Sequence, residues 1–517
     1  MFRIAAVLMA AASVCTADMW FPNLRQNTVR TVGANSLGLM RRDGDAVPLR
    51  APGPIMFKEQ EAGDWEKKVD NIIAKGILRL TLEMDMALRK ELGTKTNILF
   101  SPVSIASALA LVLLGAGGKT FEETAQVMGV ASGVEIGSRP HLIHEQFGRL
   151  LDKFTYAHLE FRNNLPGHRG AKDFNGLDLN AASGVFVQEG FSIAPTFKRV
   201  ANEAYHSDVI NVDFEGRGAE AQKIINGWVS QKTSGHIKDI LSRVPSPMTR
   251  VVFATALYFN GAWKVPFPPE FTTSKPFYIG AYPKYSNGYP VAPTGKEEGV
   301  FKVNMMVNNL DVPYLERPDL GFRAVGLPYG LNDSSPAVAT MYIIVPDVKD
   351  GNGVVDLQNL IKRLKYSDLE AIVRDSEIRN CIVSIPRMKL SSSNKLRGAI
   401  SSLGLPSLFD PATANLTGVF ENSVTERNVR PPRGSNSRLK KDRKSELGPL
   451  YAEEVHHRVE LDVTELGTVA TAATAISHSR DGSSKVLRAE RPFIFFVHHA
   501  PTGLVLFWGS VVNPPAY

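Results

Sequence analysis

Cysteine is almost missing from this chain. Of 517 residues only Cys15 and Cys381 are cysteines, which excludes a disulfide scaffold and a Cys-rich zinc module. Long apolar runs are missing as well. The longest one past the N-terminus, Pro102 to Leu114, is too short to cross about 30 Å of hydrocarbon, and its apolarity on nearly every face reads as an interior helix. A general excess of one charge is missing too. There are 59 Lys and Arg against 52 Asp and Glu, a net +7, but the excess is local: Arg427 to Glu446 holds eight basic and two acidic residues. One loop is basic and the remainder close to neutral. With 44% apolar and 21% charged residues, neither wholesale disorder nor a fibre fits. Stability must come from a large apolar core.

Catalytic signatures are also lacking. Gly118-Lys119-Thr120 could close a phosphate-binding loop only with glycine at position 113, which is Leu113. The sequence His141-Leu142-Ile143-His144-Glu145 lacks the spacing of zinc peptidases, His456-His457 and His498-His499 have no matching cluster, and no Gly-x-Ser-x-Gly elbow occurs. A hydrolase reading has no constellation behind it.

What is present begins with Arg3, an apolar run from Ile4 to Val14, and the small residues of Cys15-Thr16-Ala17. This pattern predicts a signal peptide over residues 1–17 and a secreted product, leaving Cys381 as a lone thiol that should be buried. Residues 18–63 are rich in Arg, Asn, Gly and Pro and read as a flexible extension. Order is expected from near Asp64, as one domain over 64–517. An amphipathic helix is expected over Lys75 to Leu92, and another from Ser101-Pro102, a serine cap followed by proline in the first turn. Thr120 with Glu123 reads as the capping box of the next helix. Further helices fit Pro195 to Tyr205 and Ala219 to Lys232. Strands fit Arg250 to Phe259, Ala337 to Val345, Cys381 to Ile385, His457 to Val463 and Phe493 to Val497. The irregular alternation predicts an α+β class.

One segment is odd on physical grounds. From Gly467 the chain reads Gly-Thr-Val-Ala-Thr-Ala-Ala-Thr-Ala-Ile, and in strand periodicity Thr468, Ala470, Ala472 and Thr474 share a face. All four are small. Such a stretch could enter a sheet without obstruction but has too little apolar surface to hold itself there. Composition alone favours a flexible loop.

The surroundings reverse that preference, because from about Asp64 to Pro514 the chain resembles the serpin family. The motifs that carry this are Asn97 to Ile105 with Leu114-Gly115-Ala116, then Ile225 to Val229 with Thr233, Gly235 and Ile237, and Leu257 to Trp263. Met305-Met306, Leu327-Pro328-Tyr329, Pro386, Leu403-Gly404, Asn415 to Gly418 and Arg491 to Phe496 follow in family order. The resemblance implies three β-sheets, about nine helices and an exposed reactive loop, here 467–490. A serine protease attacks the loop, forms an acyl ester, and is trapped when the cut loop inserts into the central sheet. It implies that Glu465 precedes the hinge, Gly467 is the hinge glycine and Thr468 the first insertion position, with Ala470, Ala472, Ala473 and Thr474 as the small-residue run of an inhibitory member. Leu466 and Val469 depart from the usual polar residues, and Val469 should point outward. Ser101, Ser104 and His457 match the shutter and Trp263 the breach. Thr255 stands where the family usually has Asn, and a hydroxyl cannot supply an amide's donor and acceptor together. Glu490 is a mild departure in the signature.

Family loop length, counted from Gly467 or back from Pro492, puts the reactive bond at Asp481-Gly482. Arg480-Asp481 is preferred, since Arg suits the acidic pocket of trypsin-like proteases; His478-Ser479 remains open. Residues 422–449 are an insertion relative to the family. Its basic residues Arg438, Lys440, Lys441, Arg443 and Lys444 suit a solvated loop, a site for sulfated glycosaminoglycan, or dibasic processing at Lys440-Lys441. No cofactor is required. Asn332 and Asn415 head glycosylation sequons. The extension and insertion resemble arthropod serpins that act on immune proteases, and a monomer is expected. The competing reading is a non-inhibitory carrier, chaperone or signalling ligand.

Overall fold

A computed structural model describes residues 59–130, 143–153, 177–280, 285–286, 289–290, 299–330, 337–348, 352–420, 448–467 and 484–515. The expected signal peptide, nearly all of the extension, Asn332, the basic residues of the insertion, and positions 468–483 with Thr468, Ala470, Ala472, Ala473, Thr474, Arg480, Asp481 and Gly482 lie outside them.

The chain opens with helix α1 (Glu59–Leu92), short strand β1 (Ile98–Phe100), α2 (Pro102–Gly115) and α3 (Gly118–Val127). After helical residues 143–153 come β2 (Leu177–Gln188), α4 (Pro195–Tyr205), β3 (Asp208–Val212), α5 (Gly218–Lys232) and β4 (Val251–Gly261). The next stretch holds β5 (Thr273–Tyr278), the two-residue strands β6 (Tyr285–Ser286) and β7 (Tyr289–Pro290), β8 (Val300–Arg317), β9 (Phe322–Tyr329) and β10 (Ala339–Pro346). Then follow α6 (Gly353–Arg363), α7 (Tyr366–Asp375), β11 (Glu377–Pro386), β12 (Met388–Lys395) and α8 (Arg397–Ser402). Strands β13 (Ala452–Val463), β14 (Lys485–Arg488), β15 (Phe493–His499) and β16 (Leu504–Val511) complete the described chain. Every helix and strand expected from the sequence is present, with bounds shifted by a few residues except at α1, which starts at Glu59 where the expected helix started at Lys75.

The class is α+β. Among the described residues one sheet has five strands in the order β12-β13-β4-β2-β3, another has nine, running β1-β16-β15-β10-β9-β8-β11-β14 with β5 beside β8, and β6 and β7 pair as a two-stranded ribbon. Strand β8 serves two neighbourhoods. Its first third pairs with β5 and its last residues with β9, while β11 runs along its middle, Met305 to Tyr314. The strands around β8 form one continuous sheet among the described residues, so the three separate sheets that the family resemblance implies are not fully distinguished.

The main core lies between the sheets. From β4, Val251, Phe253, Leu257 and Phe259 point into it, and Phe259 meets Phe507 of β16 with ring centroids 5.7 Å apart. Helix α2 is buried nearly all round in this core, as its uniform apolarity predicts. On the opposite face of β4, Val252, Ala254, Ala256 and Tyr258 pack under Ala221, Ile225, Trp228 and Val229 of α5. Burial on both faces explains the continuous apolar run of β4. By contrast, β13 alternates buried with half-exposed polar residues.

Two expectations need correction. Helix α1 starts at Glu59, where order was expected from near Asp64 and the helix from Lys75; residues 59–62 read Glu-Gln-Glu-Ala, helix formers that without apolar periodicity give no hydrophobic signal. Thr120 does not cap α3, whose N-cap is Gly117 without a side-chain bond. Its hydroxyl accepts from the Asn415 N–H and the Ser407 hydroxyl, and Glu123 accepts from the Ser407 N–H. The Thr-x-x-Glu pattern is used for tertiary contacts here. Ser101 does cap α2, accepting from the Ser104 N–H at 3.3 Å. Cys381 is buried, and burial pushes its thiol up to about 11.

Candidate functional site: the seam between β4 and β13

The five-stranded sheet has an unusual centre. Strands β4 and β13 lie side by side and parallel, Thr255 opposite His457 and Leu461 opposite Phe259, while their outer neighbours β2 and β12 are antiparallel to them. A strand entering antiparallel between β4 and β13 would turn one parallel pairing into two antiparallel ones, the slightly stronger geometry per residue.

Midway along the seam, Thr255 Oγ1 is 2.9 Å from His457 Nδ1. The Ser101 N–H donates to His457 Nε2 at 2.8 Å, and the Ser104 hydroxyl donates to Ser101 Oγ at 2.9 Å. These four sequence-selected residues are thus brought together, tying the start of α2 to both central strands. Burial drives His457 down to about 3, so its ring is neutral. Because Nε2 accepts from a backbone N–H, the ring proton sits on Nδ1 and is donated to Thr255. Only an acceptor is needed at position 255, which a hydroxyl supplies as well as an amide.

At the top of the seam Trp263 stacks on Tyr329, centroids 4.4 Å apart, and its indole N–H donates to the Thr464 carbonyl at 2.9 Å. Glu465 is buried; it accepts from the Thr272 hydroxyl at 2.9 Å and pairs with Arg387 at 3.6 Å. Its carbonyl accepts from the Phe267 N–H at 2.7 Å. The sequence reading missed Arg387 and Thr272, which have no periodic signal, and gave Tyr329 no role beyond its motif.

Gly467 closes the seam. It forms antiparallel bridges to Ala262, just past β4, and to Thr464, just past β13. These two positions continue the β13–β4 register. Its φ is +107°, left-handed space that favours glycine, and a Cβ here would lie 2.1 Å from the Gly261 carbonyl oxygen.

A family model described as Serpin (serine protease inhibitor) matches residues 77–514. The chain belongs to the serpin family. It is 31% identical to Serine protease inhibitor 28Dc of Drosophila melanogaster over the full length of both chains. It is 28% identical to the leukocyte elastase inhibitor of Xenopus tropicalis over 81% of this chain and 93% of that one. Among solved structures, human thyroxine-binding globulin superposes with a TM-score of 0.66 at 18% identity, over 86% of this serpin and 99% of that chain. No helix among the described residues of this serpin is long and apolar enough to cross a membrane.

Asn415 is the one sequon asparagine within the described residues, and its side-chain oxygen accepts from the Thr417 N–H and hydroxyl at 3.3 and 2.8 Å.

Proposed function

We propose that this serpin is a secreted, monomeric suicide-substrate inhibitor of serine proteases, with trypsin-like enzymes as targets. The protease's serine oxygen bonds to the carbonyl carbon of the attacked loop residue, the peptide C–N bond breaks, and the departing amine takes the serine's proton. The freed segment enters the β4–β13 seam before water hydrolyses the ester. The serpin is the substrate in this chemistry and catalyses nothing.

The observation that carries the reading is the double bridge of Gly467. Gly467 bridges antiparallel to both Ala262 and Thr464, which supports reading it as the first rung of an inserting strand. Continuing that register, Thr474 arrives opposite both Thr255 and His457, and residue 478 arrives opposite Val251, where β4 begins. The inward positions Thr468, Ala470, Ala472 and Thr474 are all small. Val469 falls outward, beside Asn260 and Asp462.

The same register bears on the attacked bond. Cutting after His478 would leave no tether beyond the foot of β4. Cutting after Arg480 leaves a full strand and two spare residues, which supports Arg480-Asp481, with Asp481-Gly482 next. The net charge of the basic segment suits a sulfated glycosaminoglycan as an accompanying ligand.

The fold is shared with human thyroxine-binding globulin, whose structure was solved as a complex with the ligand of its name, so a carrier is the second reading. The small inward hinge residues favour inhibition. Incubation with trypsin-like, elastase-like and Asp-directed proteases, followed by denaturing electrophoresis and mass analysis, tests the proposal. A denaturant-resistant band at the summed mass is expected, with a released peptide starting at Asp481. Loop cleavage without that band would transfer the reading to the carrier class.

A further inference from the structure

At the foot of the five-stranded sheet, a cavity of about 170 Å³ lies between the segment that joins α5 to β4 and the adjoining ends of β12 and β13. It sits on the face of the sheet that α5 covers, since His456 stands opposite Ala254 and Lys395 opposite His456. Strand β13 is irregular here. Ala452 pairs with Val251 and Glu454 with Val252, leaving Glu453 as an extra residue. Such a bulge re-aims side chains and is common beside active sites.

The lining is charged but not paired. Arg243 and Lys395 supply cations, Glu453 and Glu454 carboxylates, and none of the four takes part in an ion pair among the described residues. The Glu454 carboxylate accepts from the Arg397 and Val455 N–H groups at 2.8 and 3.0 Å, and burial raises its pKa. Thr249 also borders the cavity; it is fully buried and its hydroxyl has no partner, a state that calls for an explanation. Burial and the Lys395 charge hold His456 down to about 4, so its neutral ring offers one donor and one acceptor. Val244 and Pro245 belong to the apolar part of the wall.

Balanced charge argues against a simple ion. An anion would meet both carboxylates, and a cation both basic side chains. A hydroxylated ligand meets neither obstacle, because each hydroxyl can donate to a carboxylate or accept from an ammonium or guanidinium group. We propose that this cavity is a binding site for one neutral hexose ring, free or at the end of a glycan. Arg243 and Lys395 donate to its hydroxyls, Glu453 accepts from them, and the Thr249 hydroxyl gains the partner it lacks. Val244 and Pro245 receive the C–H face of the ring. A bound sugar joins the segment before β4 to β12 and β13, so occupancy stabilises the intact protein by mass action. The site stands whether or not the reactive loop enters the sheet.

The test titrates the full chain with glucose, galactose, mannose and N-acetylglucosamine, read by saturation-transfer NMR and by melting temperature. At least one hexose should give a saturable response at millimolar concentration, far below the range where sugars stabilise proteins by exclusion. Thr249→Val removes an unsatisfied hydroxyl, so without sugar it should melt no lower than wild type. It should nevertheless weaken the hexose about fivefold, the worth of one hydrogen bond, with Thr249→Ser restoring affinity. Lys395→Gln and Glu453→Gln should each weaken it by at least as much. The methyl glycoside of the responding hexose separates the sources: equal binding admits a glycan end, and lost binding confines the site to free sugar. Sodium sulfate and glycine probe the ionic alternatives. Tighter binding of either than of every hexose, a hexose response undiminished in Thr249→Val and Lys395→Gln, or no saturable response to any hexose would overturn the assignment.

Discussion

Thr255 and His457 face each other across a parallel strand pair, Oγ1 to Nδ1 at 2.9 Å. Under the proposed loop insertion this is the register position of Thr474, so the closed and inserted sheets would compete for one point, and whatever holds Thr255 to His457 would oppose insertion.

The ring of His457 makes that point sensitive to acid. Burial holds it down to about 3, against about 6.5 for a free imidazole. The unfolded chain thus binds the proton more readily between these values. The contribution of the neutral ring is complete above about pH 6.5 and is lost progressively as pH falls toward 3, on the order of 5 kcal/mol in all. His456, His498 and His499, each lowered by burial to about 4, act in the same direction. Urea unfolding of the intact protein should show stability falling steadily from pH 6.5 to 4, with a shallower slope for His457→Gln. Equal slopes would show that the ring is not the sensor.

Thr255→Val keeps the shape and removes the acceptor of the Nδ1 proton. A buried donor left unsatisfied costs about 1–3 kcal/mol, so the urea midpoint of the intact form should fall, and Thr255→Ser should recover most of it. A neutral Thr255→Val would contradict the assigned tautomer.

Gly467→Ala places a methyl against the Gly261 carbonyl in a backbone conformation that alanine avoids. The bridges to Ala262 and Thr464 should break, with a loss of about 1–3 kcal/mol in intact stability. Faster proteolysis at the hinge is the accompanying readout.

Thr474→Glu leaves the other small inward positions unchanged and, under the proposed insertion, carries a carboxylate between Thr255 and His457. Burying an unpaired charge costs several kcal/mol, and each 1.36 kcal/mol or so added to the insertion barrier slows it about tenfold. The variant should be cleaved at the wild-type rate while the covalent band disappears. Retention of the band would mean that Thr474 does not reach the shutter.

Far from the seam, Asp85 is fully buried, accepting from Trp508 Nε1 at 3.0 Å and from the Ser510 hydroxyl at 2.7 Å, and pairing with Arg89 at 3.3 Å. Asp85→Ala strands the guanidinium and should lower stability by about 3–5 kcal/mol. It should leave the partition between inhibition and cleavage unchanged among molecules that remain folded. A shifted partition would connect α1 to the seam.

The class, the order of elements and the family were all legible in the residues themselves. Apolar periodicity, Ser101-Pro102 and the motif run from Asn97 to Phe496 are local signals, and local signals survive in one dimension. The small residues after Gly467 likewise announced a segment that could enter a sheet. Tertiary structure decided everything that depends on residues remote in sequence. Thr120 and Glu123 spell a capping box, yet they bond to Ser407 and Asn415, because a hydroxyl or carboxylate takes whichever donor the fold brings nearest. The tautomer of His457 follows from a backbone N–H at Ser101. The register proposed for the inserting loop follows from where Gly467 meets Ala262 and Thr464. That Asn260 Oδ1 and Arg458 Nε are buried without a hydrogen-bond partner could not be read from the chain, since a polar group lacks a partner only relative to every other group packed around it.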